Sequence, residues 1–219
     1  MKTRLFFSLI ITMISSITYA QFEFGYLFGA GITDIYEKTT DNIIDNTYSP
    51  AIGFTGGVFC QQGIISQNLY VKADLRVSQK GAMRTFLFAQ GQFSSKYRED
   101  VYYAELPILL QFKFFPYLKI QAGISNSFRL NLKKNKYGYF DDSAINYDSR
   151  YDLGYVIGLI AEYKQYFLEF NYNSSLIKIA NYWRLQGNIS SDDITYYNRT
   201  MFFTFGYKLF SNANDLSNK

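Results

Sequence analysis

The chain has 219 residues, 22 basic against 18 acidic, no histidine and one cysteine, Cys60. That length fits one domain, a lone cysteine excludes a disulfide-stapled scaffold, and so small a charge excess argues against a nucleic-acid partner. Aromatic residues make up 20%, with 21 Tyr and 21 Phe, a high load for a soluble domain.

Lys2 and Arg4 open the chain, Leu5 to Ile17 is almost continuously apolar, and Thr18-Tyr19-Ala20 brings small residues to a peptidase site. This layout predicts a secretory signal peptide over 1–20, cleaved between Ala20 and Gln21. Losing Lys2 and Arg4 leaves 20 basic against 18 acidic residues, a balance of +2. No cysteine stands near the cut, which excludes a lipoprotein anchor. Nothing after residue 20 approaches the ~18 consecutive apolar residues of a spanning helix.

From there the period is two. In the first segment Phe22, Phe24, Tyr26, Phe28, Ala30 and Ile32 share one face, with Glu23, Gly25, Leu27, Gly29 and Gly31 on the other. The second runs from about Ala51 to Cys60, with Ile52, Phe54 and Val58 on the apolar face. In the third, Leu69, Val71, Ala73, Leu75 and Val77 alternate with Tyr70, Lys72, Asp74, Arg76 and Ser78. Each charge would cost ~2–4 kcal/mol in mid-membrane hydrocarbon, so these face a polar lumen or water. The fourth, Val101 to Phe114, carries Glu105, Gln111 and Lys113 inside and contains Pro107, which predicts a bulge or local opening. The fifth, Leu118 to Leu130, puts Lys119, Gln121 and Arg129 inside; the sixth, Tyr151 to Tyr163, puts Asp152 and Glu162 there. The seventh starts at Tyr166 with Glu169, Asn171 and Asn173 inside, and the eighth, Thr200 to Leu209, has Thr204, Gly206 and Lys208 inside.

The connections alternate in length. Those over 33–50, 79–100, 131–150 and 174–198 are long; those over 61–68, Phe115-Pro116 and Lys164-Gln165 are short. Eight apolar/polar segments so joined predict an all-β fold: an eight-stranded antiparallel up-and-down transmembrane β-barrel. Its short turns would be periplasmic and its long loops extracellular. The barrel domain would span 21–210, with 211–219 a polar periplasmic tail and the protein in the outer membrane of a Gram-negative cell. Eight strands leave a bore that side chains fill, so a diffusion pore is not expected. Lys72, Asp74, Arg76, Glu105, Lys113, Lys119, Arg129 and Glu169 are expected to form a closed, structural network of lumen charges. A proton or ion path is the alternative.

No catalytic residue is assigned. Small barrel enzymes rely on histidine, and the chain has none. No cofactor or metal is implied either: Asp141-Asp142 and Asp192-Asp193 lie in loops with too few oxygen ligands for calcium. Asn173, Asn188 and Asn198 match a glycosylation pattern by chance. Cys60 reads as a small apolar residue near the turn end of the second strand. Lys133, Lys134 and Lys136 open the third long loop, where they could contact lipopolysaccharide phosphates or simply be solvated.

The stretch Leu69 to Ala82, ending Gln79-Lys80-Gly81-Ala82, resembles the PorT-like family of outer-membrane β-barrel proteins, small barrels of the OmpX and OmpA kind. So do Tyr103-Ala104-Glu105-Leu106-Pro107, Asp152-Leu153-Gly154, Leu168-Glu169-Phe170-Asn171-Tyr172 and Gly206-Tyr207-Lys208-Leu209-Phe210. Two features depart from the pattern: nine residues follow Phe210, and Asn171 stands where a basic residue is expected. The resemblance implies a barrel over nearly the whole mature chain, and one branch of the family serves a protein secretion system. The expectation is a monomeric, non-enzymatic barrel that acts through its outer loops, in contact with outer-membrane lipid, lipopolysaccharide and possible envelope proteins. Alternatives are an accessory subunit of an envelope secretion or transport machine, and a barrel that binds a hydrophobic or glycan ligand.

Overall fold

The computed structural model describes residues 21–38, 47–64, 68–87, 94–137, 149–183 and 193–211. The expected signal peptide, the tail after Ser211, and Asp141, Asp142 and Asp192 lie outside them. In chain order the strands are β1 (Phe22–Lys38), β2 (Thr47–Gly63), β3 (Leu69–Leu87), β4 (Ser94–Phe115), β5 (Leu118–Tyr137), β6 (Tyr151–Tyr163), β7 (Tyr166–Ser175), β8 (Ala180–Trp183) and β9 (Asp193–Ser211). From β1 to β7 each strand pairs antiparallel with the next; β7 pairs with β9, and β9 pairs with β1 to close the barrel. That closing seam runs from Glu23↔Ser211 to Lys38↔Thr195. Among the described residues β8 pairs with β9 alone, so eight strands form the wall.

The alternation in the sequence becomes a two-sided wall. Outward residues include Ile52, Leu75, Leu168 and Phe203, each more than 60% exposed, whereas the inward Val101, Val156 and Ser78 are fully buried. On β1 the outward apolar row spans Phe22 to Ile32. At ~3.4 Å per residue and a tilt of ~40°, it covers ~25 Å, the height of an outer-membrane apolar band. Near the turn end tyrosines gather on this face: Tyr26 and Tyr166 lie 5.6 and 5.2 Å from Tyr207, ring to ring. Amphipathic rings favour a membrane–water boundary.

Two-residue turns at Pro116-Tyr117 and Lys164-Gln165 join β4 to β5 and β6 to β7. The first is shifted by one residue from the expected Phe115-Pro116. Lys164 takes φ 55°, as a tight hairpin turn requires.

The strands are longer than the apolar alternation implied. β3 reaches Leu87, β4 begins at Ser94, β5 reaches Tyr137 and β9 begins at Asp193, so much of the expected long loops is paired strand. Outside hydrocarbon a strand no longer needs an apolar face, so the compositional signal stops before the hydrogen bonding does. β1 shows this: Asp34, Tyr36 and Lys38 replace the apolar row while pairing with β9 continues.

Pro107 does not bulge the wall. The β3–β4 ladder instead opens there, running to Ala73↔Ile108 and resuming at Arg76↔Glu105 in the same register. The register shifts instead on the other side of β4, against β5, between Tyr102 and Tyr103 and again between Lys113 and Phe115.

Gly81 is the position where backbone geometry demands glycine. Its φ is 151°, and an added Cβ would lie 1.8 Å from the Glu99 carbonyl oxygen. Gly81→Ala is therefore expected to cost roughly 1–3 kcal/mol. The measurement is the urea midpoint of the refolded barrel, followed by its heat-modifiable band on a cold detergent gel. An unchanged midpoint would count against this account of Gly81.

Candidate functional site

Among the described residues, β3 carries a run of charge on its inner face, and the fold turns partners toward it from other strands. Lys72, Asp74, Arg76, Ser78 and Lys80 follow one another at period two along the inner face of β3, each at most 3% exposed. Their partners come from other strands. Lys72 donates to Glu169 on β7. Arg76 Nε lies 3.1 Å from Glu105 on β4, and Lys80 Nζ lies 2.5 Å from the same carboxylate. Glu105 also accepts from Ser78 at 2.6 Å and from Ser127 at 3.2 Å, so one carboxylate takes four donors. Charge-assisted bonds of this kind satisfy groups that would be costly to bury alone.

Neutral amides extend the network across the bore. Gln111 donates to Gln121 at 3.0 Å, Gln121 to Asn171 at 2.6 Å, and Asn171 to Glu169. Asn171 thus supports Glu169, with an amide where a basic residue was expected. Toward the loop end, Asn198 donates to Asp152 at 2.9 Å and to the Tyr103 hydroxyl at 3.2 Å, while Lys80 Nζ lies 3.7 Å from Asp152.

A second ionic cluster closes the turn end. Lys208 lies 2.8 Å from Glu23 and 3.3 Å from Glu162, and Lys119 lies 2.7 Å from Glu162. Lys119 Nζ also stands 4.2 Å from the centre of the Tyr70 ring.

The lumen is not wholly polar. Leu27, Phe59, Ile160 and Phe167 form a buried apolar cluster. The two phenyl rings meet edge to face at 5.0 Å, and Lys72 Nζ lies 5.4 and 5.3 Å from their centres. Gly206 makes this packing possible, because a Cβ there would meet the Phe167 ring at 1.9 Å.

Of the expected lumen residues, Lys72, Asp74, Arg76, Glu105, Lys119 and Glu169 come together inside the barrel. Lys113 and Arg129 are only half-buried. Lys113 stands near the turn end, its backbone N–H donating to Asn68 at 2.8 Å. Asp74 is an uneasy member, since neither of its oxygens accepts a hydrogen bond.

Sequence reasoning left Glu23, Lys80, Asp152, Glu162 and Lys208 out of the network. Four of them sit on inner faces already read from the alternation. Lys80 was placed in a loop, yet it simply continues the even-numbered row from Lys72. Lys133, Lys134 and Lys136 belong to β5, in register with Asp100, Glu99 and Tyr97 on β4, rather than to a loop. Their side chains lie outside the described residues. Cys60 is exposed on the outer face of β2.

Among the described residues no group of three or more acidic, cysteine or histidine side chains could hold a metal ion. Among the described residues the interior offers salt bridges and amide chains packed against rings.

No curated protein matches the sequence. In backbone fold the chain is similar to OprG of Pseudomonas aeruginosa, at 9% identity and a TM-score of 0.49, over 87% of this chain and 96% of that one. It is also similar to Neisserial surface protein A, at 12% identity and a TM-score of 0.47, over 85% and 97%. Ail of Yersinia pestis aligns at 12% identity and a TM-score of 0.39, over 85% and 99%. The outer membrane protein beta-barrel domain family matches residues 13–181. The chain belongs to that family and is a β-barrel protein of the outer membrane.

Proposed function

We propose that this barrel is a sealed, non-enzymatic, monomeric membrane anchor that presents its loop end to the outside for contact with surfaces or partner molecules. The observation that carries the reading is the filled interior. Glu105, Glu169, Lys72 and Arg76 are each at most 3% exposed in mid-lumen, and Phe59 and Phe167 pack beside them. A bore occupied in this way passes no solute, so the parts left to act are those beyond the apolar band. With an exported chain and an even strand count, the short turns face the periplasm and the extended strand ends face outward.

Two measurements test the seal. Reconstituted into a planar bilayer, the protein is expected to show no steady conductance, and ohmic single-channel steps would sink the reading. Glu105→Gln removes the carboxylate that serves both Arg76 and Lys80 and leaves buried positive charge. It is expected to cost roughly 3 kcal/mol or more, with conductance still absent. A variant that conducts at undiminished stability would mark Glu105 as a gate.

The outward-facing reading assigns Lys133, Lys134 and Lys136 to the phosphates of neighbouring lipopolysaccharide. Their place on β5, past the apolar band, supports this. Replacing all three by Gln is expected to weaken binding to lipopolysaccharide-bearing vesicles roughly tenfold or more, with the wild-type advantage shrinking as salt is added. Equal binding of variant and wild type would remove these lysines from the contact.

A further inference from the structure

We propose that the lipid-facing wall over β6, β7, β9 and β1 carries a binding site for one anionic glycerophospholipid. An apolar groove holds an acyl chain, and a row of tyrosines with Lys164 receives the headgroup end. Strand register sets three successive rows of outward side chains there. The row nearest the turns is all tyrosine, Tyr163↔Tyr166↔Tyr207↔Tyr26. The next is Leu118↔Ala161↔Leu168↔Phe205↔Phe28. The third is Leu159↔Phe170↔Phe203↔Ala30↔Phe54. Each apolar row has one alanine between larger side chains, and both rows line a groove of about 620 Å³ in the wall. Glu169 and Thr204 also border the groove, but their side chains belong to the lumen, each residue 1% exposed.

The occupant follows from the surroundings. The groove faces hydrocarbon, where lipid tails are as apolar as the wall, so binding there comes from packing and not from escape from water. A gap in such a wall forfeits dispersion contacts, and an acyl chain laid between Leu168, Phe203 and Phe28 recovers them. The volume is that of a small-molecule site, typically ~300–1,000 Å³. The headgroup end is set by the tyrosine row and the β6–β7 turn. Tyrosine suits the membrane–water boundary, and the row is local, since Tyr26 pairs onward with Val58 on β2. Just beyond it Lys164 is exposed, its Nζ 5.5 Å from the centre of the Tyr163 ring. Glu23 and Glu162, at the same end of the wall, turn inward onto Lys208 and Lys119. Lys164 is thus placed to meet a lipid phosphate at the boundary.

The site depends neither on the sealed lumen nor on which way the loops face, so it is tested on the full barrel in detergent. The experiment is native mass spectrometry after mixing with phosphatidylglycerol, with phosphatidylcholine of the same acyl chains, or with lipopolysaccharide. The wild type is expected to retain one phosphatidylglycerol in preference to the other two. Ala30→Phe combined with Ala161→Phe fills the groove from two exposed, lipid-side positions. Its heat-modifiable band should be kept, and the retained lipid should be lost. Lys164→Gln leaves the groove intact and tests the headgroup alone. It is expected to lower retention of phosphatidylglycerol roughly fivefold and to leave that of phosphatidylcholine unchanged. A wild type that retains none of the lipids, or phosphatidylcholine equally well, would overturn the proposal. So would a folded double variant that keeps its lipid, or a Lys164→Gln barrel that still prefers phosphatidylglycerol as strongly as the wild type. Preferred retention of lipopolysaccharide, or a lipid-free dimer that the double variant abolishes, would give the groove to a different occupant and overturn it as well.

Discussion

Everything in this molecule depends on the seam between β1 and β9. Hydrocarbon offers no partner to a backbone N–H or C=O, so a sheet that crosses a membrane must leave no edge. The chain meets that demand by pairing its first strand with its last, from Glu23↔Ser211 to Lys38↔Thr195. Side chains reinforce the seam from the lipid side, where Phe28 packs on Phe205 at 5.5 Å and Tyr26 on Tyr207 at 5.6 Å. Without closure, the alternation of every strand would have nothing to enclose.

Closure decides what the interior must contain. Eight tilted strands leave a core that side chains fill, and period two sends half of each strand into it. The ionic network there is weak as a source of stability, because desolvation offsets much of the attraction between buried charges. Its value lies in register. A slip of one residue on β3 would turn Lys72, Asp74, Arg76 and Lys80 into lipid, at ~2–4 kcal/mol for a basic residue near the midplane. Partners spread over β4, β6 and β7 make the penalty collective, since no strand can shift without breaking a pair made by another.

The wall was legible in the sequence because lipid imposes one rule on all eight strands: apolar outside, anything small or polar inside. The rows Phe22 to Ile32 and Leu69 to Val77 carry that rule with almost no exceptions, and both turn out to face outward. The strand ends were not legible. Where lipid stops, so does the constraint, and Gly81 to Leu87 or Ser94 to Asp100 read as loop although they pair residue for residue. Within the lumen, Lys72, Arg76, Glu105 and Glu169 could be found from alternation. Which acid meets which base could not, because Lys72 reaches Glu169 across 97 residues of sequence and only closure brings β3 opposite β7. The apolar cluster was missed for a related reason. Phe59 and Phe167 follow the inward parity of their strands, but nothing local in the sequence marks the room they need. The room they need is provided by glycines on other strands, such as Gly206.

Above the apolar band the seam is held by different means. In hydrocarbon a ladder hydrogen bond has no competitor, whereas in water it exchanges for solvent and contributes little net stability. The side chains of β1 and β9 change at that boundary. Arg199 meets Asp34 at 2.6 Å and lies 5.6 Å from the Tyr36 ring, and Tyr36 stacks on Tyr197 at 5.1 Å. An exposed ion pair alone is worth little, but here it is joined to a stacked aromatic pair and to continued strand pairing. The loop end of the barrel is therefore built on a continuation of the closed wall, and groups carried there keep spacings set by strand register.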